Sequence, residues 1–218
     1  EAEEEAIVRL ADQPQGLILA TGPAGSGKTT TLLSLMARLV GLRKKRLKND
    51  DAYRCSVVTL EDPVECVVPG FHQTSIKAAQ GMTFAEGLRS MLRQDPELIL
   101  VGEIRDRETA KAVVQAGLTG HLVFSTLHTN DASGAPSRLL DMGVEPFLVA
   151  SSLEGVLAQR LVRRICQECG RQRQIHENEV PRGLTMPEDG MVPEPVGCRD
   201  CRRTGFRGRQ GVFELLRM

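Results

Sequence analysis

Residues 22–30 read Gly-Pro-Ala-Gly-Ser-Gly-Lys-Thr-Thr, and the residues on either side give this stretch its structural context. The apolar run before it, residues 16–21, is long enough for a buried strand and too short for a helix. After it, residues 30–40 repeat apolar side chains at helical spacing. The sequence therefore predicts a strand, a glycine-rich loop and a helix in succession.

The loop has the spacing of a phosphate-binding motif. Its residues fit the P-loop pattern G-x-x-x-x-G-K-[ST] in the strand, loop and helix context that the pattern requires. Small side chains let backbone N–H groups surround a phosphate at the positive end of the helix. Lys28 is expected to reach the β- and γ-phosphates, and Thr29 to bind Mg²⁺. We therefore predict that ATP and Mg²⁺ are bound by Gly22, Ala24, Gly25, Ser26, Gly27, Lys28, Thr29 and Thr30.

Composition excludes several classes of protein. Lysine plus arginine and aspartate plus glutamate number 28 each among 218 residues, so no net charge draws the chain to nucleic acid or an anionic membrane. Aromatic residues make up only 3%, which leaves few side chains for stacking on bases. No apolar run is long enough to span a bilayer, and no signal peptide opens the chain. We expect a cytosolic protein, in which six cysteines favour metal binding or free thiols over disulfides.

Strands and helices are predicted to alternate after the P-loop helix. Further strands are predicted at 55–60, 98–102 and 121–126, and helices at about 83–95, 107–118, 135–142 and 146–164. Thr83 and Glu86 form a capping-box pattern at the first of these helices. The polar residues 43–51 are predicted to be a solvated loop. Continuous apolar strands alternating with helices predict an α/β fold with a mainly parallel sheet covered on both faces.

The composition changes near residue 163. Hydrophobic runs give way to Cys, Arg, Gly and Pro until a strand-like segment at 211–216. We therefore predict an α/β core over residues 1–162, a cysteine-containing subdomain over 163–210, and a return to the core over 211–218.

Acidic and histidine side chains follow the predicted strands. Glu61, Asp62 and Glu65 follow one strand, Glu103 a second and His128 a third. The carboxyl ends of parallel strands are where α/β sheets bind ligands, and a P-loop enzyme needs groups that hold Mg²⁺ and orient water. The apolar run ending in Glu103 has the form of a Walker B strand, and His128 is interpreted as a γ-phosphate sensor. The alternative is that these side chains are solvated strand ends. His121, at the opposite end of its strand from His128, cannot share a metal with it.

Four cysteines form two C-x-x-C pairs. Cys166, Cys169, Cys198 and Cys201 together supply the sulfur ligands of a structural Zn²⁺ site, although the 28 residues between the pairs require an inserted loop. Arginines near the pairs can balance the negative charge of a zinc tetrathiolate, so they are explained without nucleic acid. Cys55 lies elsewhere, as does Cys66; both are predicted to be core or surface residues.

These motifs resemble one known family. GPAGSGKTT, TLEDPVE, LRQDPELILVGEIRD, TGHLVFSTLHTNDA and the double C-x-x-C resemble the C-terminal motor domain of the secretion ATPase superfamily, specifically type II secretion and type IV pilus assembly ATPases, over residues 7–216. The resemblance implies a RecA-like P-loop NTPase core, and a homo-hexamer in the full-length protein that hydrolyses ATP to drive pseudopilin or pilin assembly. It implies Glu65 as the base or water-orienting group and Glu103 as the Mg²⁺-holding group, two roles that the sequence does not separate.

The resemblance also implies partners and a location. Platform proteins of the inner membrane would be contacted through an N-terminal domain that this sequence lacks, which places the protein in the cytoplasm, peripheral to the bacterial inner membrane. Arg89 and Arg93 lie one helical turn apart. They are either a surface pair or a pair that faces the phosphates of their own or a neighbouring subunit, and Arg93 is assigned a catalytic role. Two other functions remain open: a regulatory fragment that binds ATP without turnover, and a zinc-containing nucleic-acid-binding ATPase, although no direct nucleic-acid contact is expected.

Overall fold

The computed structural model describes residues 2–46, 55–77, 79 and 81–218. The chain divides into two compact units. The first, called the core unit below, comprises Glu1–Arg160 and Phe213–Met218, and the second, the tetracysteine unit, comprises Leu161–Val212. Within the described ranges, the helices contain no stretch that is both long and apolar enough to cross a membrane.

Nine strands are assigned among the described residues. They are β1 (Gly16–Thr21), β2 (Val57–Glu61), β3 (His72–Ser75), β4 (Leu98–Val101), β5 (Leu122–Leu127), β6 (Leu153–Ile165), β7 (Arg171–Gln174), β8 (Met191–Glu194) and β9 (Phe206–Arg217). Seven of them form one sheet in the order β3-β2-β4-β5-β1-β6-β9, and every neighbouring pair from β3 to β6 is parallel. In the tetracysteine unit, β7 and β8 pair antiparallel.

Six α-helices accompany these strands in the described residues. They are α1 (Ala2–Ala11), α2 (Lys28–Arg46), α3 (Phe84–Met91), α4 (Arg107–Leu118), α5 (Gly134–Asp141) and α6 (Pro146–Ser152). Apolar residues of α1 and α2 pack with one face of the sheet, and those of α3 to α6 pack with the other. Consequently Leu17 and Leu19 belong to one hydrophobic cluster, whereas Ile18 and Ala20 between them belong to the other. Burial on both faces is why the central strands β1, β4 and β5 are mostly apolar on both sides.

Several predicted elements are confirmed. The mainly parallel α/β sheet is present, and β1, β4 and α4 lie within a residue of their predicted bounds. The capping box at α3 is present as well: the Glu86 backbone N–H donates to Thr83 Oγ1 at 3.2 Å, and the Thr83 N–H donates to Glu86 Oε2 at 3.1 Å. These two hydrogen bonds satisfy N–H groups that the first turn of a helix leaves without partners.

The predicted helix over 146–164 is wrong beyond Ser152. The helix α6 ends there, and the following residues form β6, which pairs with β1 from Leu17↔Leu153 to Thr21↔Ala158. Leu, Ala, Gln and Arg favour a helix locally, but the other edge of β1 needs a neighbour for its backbone groups, so tertiary pairing decides. The last strand also starts earlier than predicted, at Phe206.

The predicted loop over 43–51 is wrong at its start. Arg43–Arg46 form the last turn of α2, and residues 47–51 lie outside the described residues. Arg43 Nη2 donates to the Gln13 carbonyl at 3.1 Å, and Arg46 pairs with Asp12. Positive charge at the C-terminal end of a helix also interacts favourably with the helix dipole.

Candidate nucleotide site

The P-loop connects the end of β1 to the start of α2, and its glycines are required by its backbone. Gly22, Gly25 and Gly27 have φ values of 140°, 71° and 83°, where L side chains are strained. At Gly22 space is also lacking, because a Cβ would lie 2.3 Å from the Gln159 carbonyl oxygen. The loop can therefore follow this path only with glycine at these positions.

Lys28 is the buried cation of the loop. Its Nζ donates to the carbonyl oxygens of Gly22 and Pro23, each at 2.9 Å. Burial lowers the pKa of Lys28, and the negative charge of Glu103 partly offsets that effect. The lysine thus lies beside the acid that ends β4.

Hydrogen bonds hold the carboxyl ends of β2, β4 and β5 side by side. The Gly102 N–H donates to the Leu60 carbonyl at 2.7 Å, and the Thr126 hydroxyl donates to the Gly102 carbonyl at 2.7 Å. The Ile104 N–H donates to the Thr126 carbonyl at 3.0 Å. Because β1 is the other neighbour of β5, four motif-bearing loops leave the sheet at one edge.

A cleft of about 240 Å³ opens at this edge. The structure brings together Lys28 and Thr29 of the P-loop with Glu65, Glu103 and His128 from three other loops. The complete lining is Ala24, Gly25, Lys28, Thr29, Glu61, Asp62, Pro63, Glu65, Phe84, Gly102, Glu103, Thr126 and His128. A P-loop, carboxylates and an imidazole therefore share one opening, and the first two are parts that a triphosphate–magnesium site requires.

Glu103 has two neighbours in the cleft region that favour its charged form, Arg105 and His128. Burial alone would raise its pKa, but the hydrogen bond and charge of Arg105, together with His128, outweigh burial and lower the pKa. His128 Nε2 lies 3.6 Å from Glu103 Oε2, and Arg105 Nη1 donates to Asp62 Oδ2 at 3.1 Å. Glu103 is thus kept ionised and available to a cation.

The sequence analysis missed one contributing residue, Arg105, and gave another, Glu61, no role of its own. Arg105 pairs with both Glu103 and Asp62, and the hydrogen bond to Glu103 raises its pKa. Its spacing of two residues from Glu103 was the available signal, since alternate residues of an extended chain share a side. Glu61 was noted only as a strand-end acid; it is 3% exposed and accepts hydrogen bonds from Thr59 Oγ1 at 2.7 Å and Gln73 Nε2 at 2.9 Å.

The remaining predicted site residues lie in different places. Ser26 is buried, and Thr30 is exposed in the first turn of α2. Arg89 and Arg93 line a separate depression of about 610 Å³ beside α4, so the structure does not bring Arg93 to the cleft of its own chain. His121 lines a depression of about 570 Å³ formed by residues that precede β1, β4 and β5, which places it at the opposite edge of the sheet from His128.

Candidate metal centre

The four predicted ligands of the tetracysteine unit converge. The sulfur atoms of Cys166, Cys169, Cys198 and Cys201 all lie within 4.8 Å of one another. The Sγ–Sγ distances are 4.0 Å for Cys166–Cys198 and 3.8 Å for Cys169–Cys201. A tetrahedral site with Zn–S bonds of about 2.3 Å has sulfur–sulfur edges of about 3.8 Å, so these residues fit Zn²⁺.

Backbone N–H groups point at the sulfur atoms. Cys201 Sγ accepts from the N–H of Cys198 at 3.1 Å and of Gly205 at 3.2 Å, and Cys169 Sγ accepts from the Gly197 N–H at 3.3 Å. The N–H of Cys198, with that of Gly205, lowers the pKa of Cys201 to about 6. The donors at Cys201 stabilise the thiolate form that binds metal, whereas burial raises the pKa of Cys169 to about 12 despite the Gly197 N–H.

Some arginines of this unit already have partners. The Arg163 guanidinium lies 3.9 Å from the centroid of the Phe206 ring, and Arg173 pairs with Glu179 at 3.0 Å. These contacts, with the balanced charge of the whole chain, do not favour a phosphate-gripping surface.

Relatives

The chain is similar to curated secretion and pilus assembly proteins. The chain is 50% identical to type II secretion system protein E of Aeromonas hydrophila over 216 residues, 99% of this chain and 41% of that protein. It is 48% identical to the type IV pilus assembly ATPase PilB of Myxococcus xanthus over 209 residues, 94% of this chain and 35% of that protein. The chain therefore spans about two fifths of the length of these relatives.

Solved structures agree on the fold. The pilus retraction motor PilT, in a structure with bound ADP, matches 75% of this chain and 47% of its own at 34% identity, with a TM-score of 0.62. The ATPase DotB of Legionella pneumophila matches 73% of this chain and 44% of its own at 29% identity, with a TM-score of 0.61. The family model described as type II/IV secretion system protein matches residues 1–218. With its RecA-like P-loop core and tetracysteine cluster, the chain belongs to the type II/IV secretion system protein family.

Proposed function

We propose that this chain is an ATPase motor domain, in which hydrolysis of ATP to ADP and phosphate drives pseudopilus or pilus assembly in a type II secretion or type IV pilus system. The observation that carries the proposal is the single cleft shared by Lys28, Thr29, Glu65, Glu103 and His128. The names of the relatives support the choice of machine, since they are secretion and pilus assembly proteins.

Each cleft residue receives a role from its chemistry. The N–H groups of the P-loop and Lys28 bind the phosphates. Thr29 and Glu103 fit Mg²⁺, which prefers oxygen ligands and would neutralise charge developing on the transferred phosphoryl group. Glu65 or Glu103 orients or deprotonates the attacking water, and His128 contacts the γ-phosphate. The depressed pKa of Glu103 favours the cation-holding role for this acid, leaving Glu65 for the water.

The arrangement of the whole protein is part of the same proposal. Residues 1–162 act as the motor core, 163–210 as a zinc-stabilised subdomain, and 211–218 return to the core. In the full-length protein six copies form a ring, and Arg93 acts on phosphates bound by a neighbouring copy, because it lies outside the cleft of its own chain. Inner-membrane platform proteins anchor the ring at the cytoplasmic face of the membrane. The chain alone is expected to bind ATP with weak turnover.

Replacement of Lys28 tests the nucleotide site directly. Lys28→Ala should weaken binding of Mg-ATP to this chain at least about tenfold, because charge-assisted hydrogen bonds to the phosphates are lost. Isothermal titration calorimetry measures the affinity, and Lys111→Ala, which removes an exposed lysine outside the cleft, is the matched control. Unchanged ATP affinity in Lys28→Ala would reject the assignment of the cleft.

Comparing ATP affinity with ATP turnover separates a motor from a regulatory nucleotide-binding fragment. A motor domain should gain turnover when the chain is part of its full-length protein, whereas a regulatory fragment should bind ATP equally well and remain inactive in both forms.

A gel-shift assay at low salt addresses the nucleic-acid alternative, since contacts to nucleic-acid phosphates weaken steeply as salt rises.

A further inference from the structure

Thr21 is the last residue of β1 and directly precedes the P-loop, yet its hydroxyl faces the loop that follows β5. The side chain is fully buried. Thr21 Oγ1 accepts a hydrogen bond from the Thr129 N–H at 2.8 Å and lies 2.7 Å from Thr129 Oγ1. Its proton can also reach the carbonyl oxygens of Leu127 and Thr129, each at 3.2 Å. The Thr21 hydroxyl is therefore within hydrogen-bond distance of four atoms, which belong to Leu127 and Thr129.

Those two residues are the chain neighbours of His128. Because Leu127 and Thr129 are both bound to Thr21, the backbone of His128 is fixed relative to the strand from which the P-loop starts. The hydrogen bonds continue onwards: Thr129 Oγ1 donates to the Asp131 carbonyl at 2.8 Å, and the Gly134 N–H donates to Asp131 Oδ1 at 2.8 Å. The hydroxyl thus begins a series of contacts that ends at the first turn of α5.

The backbone pairing of β1 with β5 does not extend to His128. The register of β1 with β5 ends at Thr21↔Leu127, so residue 128 lies beyond the last paired position. The position of His128 matters because its Nε2 is 3.6 Å from Glu103 Oε2 on the neighbouring strand end. The hydrogen bonds between Thr21 and Thr129 lie just past the paired region, one residue from this imidazole.

We propose that Thr21 is a positioning residue for His128: its hydroxyl holds the loop after β5 against the start of the P-loop and so keeps the imidazole in the cleft. If the cleft binds ATP, as proposed above, displacement of His128 should also change the preference for ATP over ADP. The contact between Thr21 and the loop after β5 does not depend on that function. Two measurements therefore separate the proposals.

The first measurement is amide hydrogen exchange of Thr129 followed by NMR. Thr21→Val keeps the shape of the side chain and removes the hydroxyl, so exchange should accelerate roughly fivefold or more. Thr21→Ser restores the hydroxyl and should stay within about twofold of the original chain. Ser125→Ala is the control, because it removes another buried hydroxyl, one that donates to the Val101 carbonyl at 2.7 Å. Unchanged exchange in Thr21→Val, or equal acceleration in Thr21→Ser, would overturn the proposal.

The second measurement is a double-mutant cycle with His128→Ala, read as Mg-ATP affinity relative to Mg-ADP affinity. Thr21→Val and His128→Ala should each reduce the preference for ATP, and the double variant should lose no more than His128→Ala alone. Additive losses would show that Thr21 acts on the P-loop and not through His128. If the original chain binds neither nucleotide, the proposed function fails, while the exchange measurement still decides whether Thr21 holds the loop.

Discussion

Arg105 shows how a single side chain can set the charge state of a site. It lies between Glu103 and Asp62, two acids from different strand ends, and its hydrogen bond and charge offset the burial of Glu103. Without that cation, burial would favour the neutral carboxyl and reduce its value as a ligand for a metal ion. Arg105 therefore favours the ionised form of Glu103 although it does not line the cleft itself.

Replacement of Arg105 should raise the pKa of Glu103. In Arg105→Gln the strongest lowering contacts are gone and burial dominates, so an NMR titration of the Glu103 carboxyl should shift to higher pH. Arg93→Gln, in the separate depression beside α4, is the matched control and should leave the titration in place.

The same substitution predicts a pH dependence of stability. Because the pKa of Glu103 is lowered in the folded chain, its contribution is present above the usual glutamate range and is lost as pH falls through the lowered value. The free energies of unfolding of the original chain and Arg105→Gln should therefore differ at neutral pH and converge in acid. A constant difference across this range would contradict the assigned coupling.

Side chains selected from local sequence patterns lie together in the structure, while their chemical roles stay predictions. Lys28 and Thr29 follow from the spacing of the loop, and Glu103 and His128 from their positions after apolar strands; all four line one cleft. The contacts of Arg105 with Asp62 and of Thr21 with Thr129 join residues far apart in the chain, so no local pattern contains them. Helical spacing places Arg93 on the same helix face as Arg89, but it does not indicate which part of the protein that face contacts.

At the scale of elements, β6 is the informative error. Its first half, Leu-Glu-Gly-Val-Leu-Ala, is a short and mostly apolar segment, and such segments are ambiguous between helix and strand from sequence alone. It forms a strand because the backbone groups on one side of β1 pair with β5 and those on the other side pair with β6. By contrast α3 was predictable, since its capping box is a local signal that survives in the fold.

The capping box gives a measurable prediction for α3. Thr83→Ala removes the hydroxyl that accepts from the Glu86 N–H, and should lower the free energy of unfolding by about 1 kcal/mol. Urea denaturation measures the change. Ser90→Ala, at an exposed position inside the same helix, should change stability by less than about 0.5 kcal/mol, and a similar loss in both variants would remove the cap as the cause.

At the scale of the whole molecule, the two units depend on different sources of stability. The core unit has two apolar clusters on the faces of its sheet, whereas few residues of the tetracysteine unit are buried, its cysteines 166 and 201 among them. A small unit with so little apolar core usually requires a metal or disulfides.

Removal of zinc should therefore affect one unit selectively. Elemental analysis should find one zinc per chain, and a chelator should increase hydrogen exchange over Leu161–Val212 while the P-loop region keeps its protection. Cys198→Ser should reproduce the effect without chelator. A folded protein without bound metal, or loosening spread evenly over both units, would contradict a structural role for zinc.

The arrangement of the sheet also governs where the chain can change in length. The P-loop and the loops that carry Glu65, Glu103 and His128 all leave one edge, while residues 12–14, 95–97 and 119–121 border the depression at the other. Lengthening a surface connection costs little free energy, because the entropy of loop closure grows only with the logarithm of loop size. Insertions at the second edge would therefore leave the residues that line the cleft where they are.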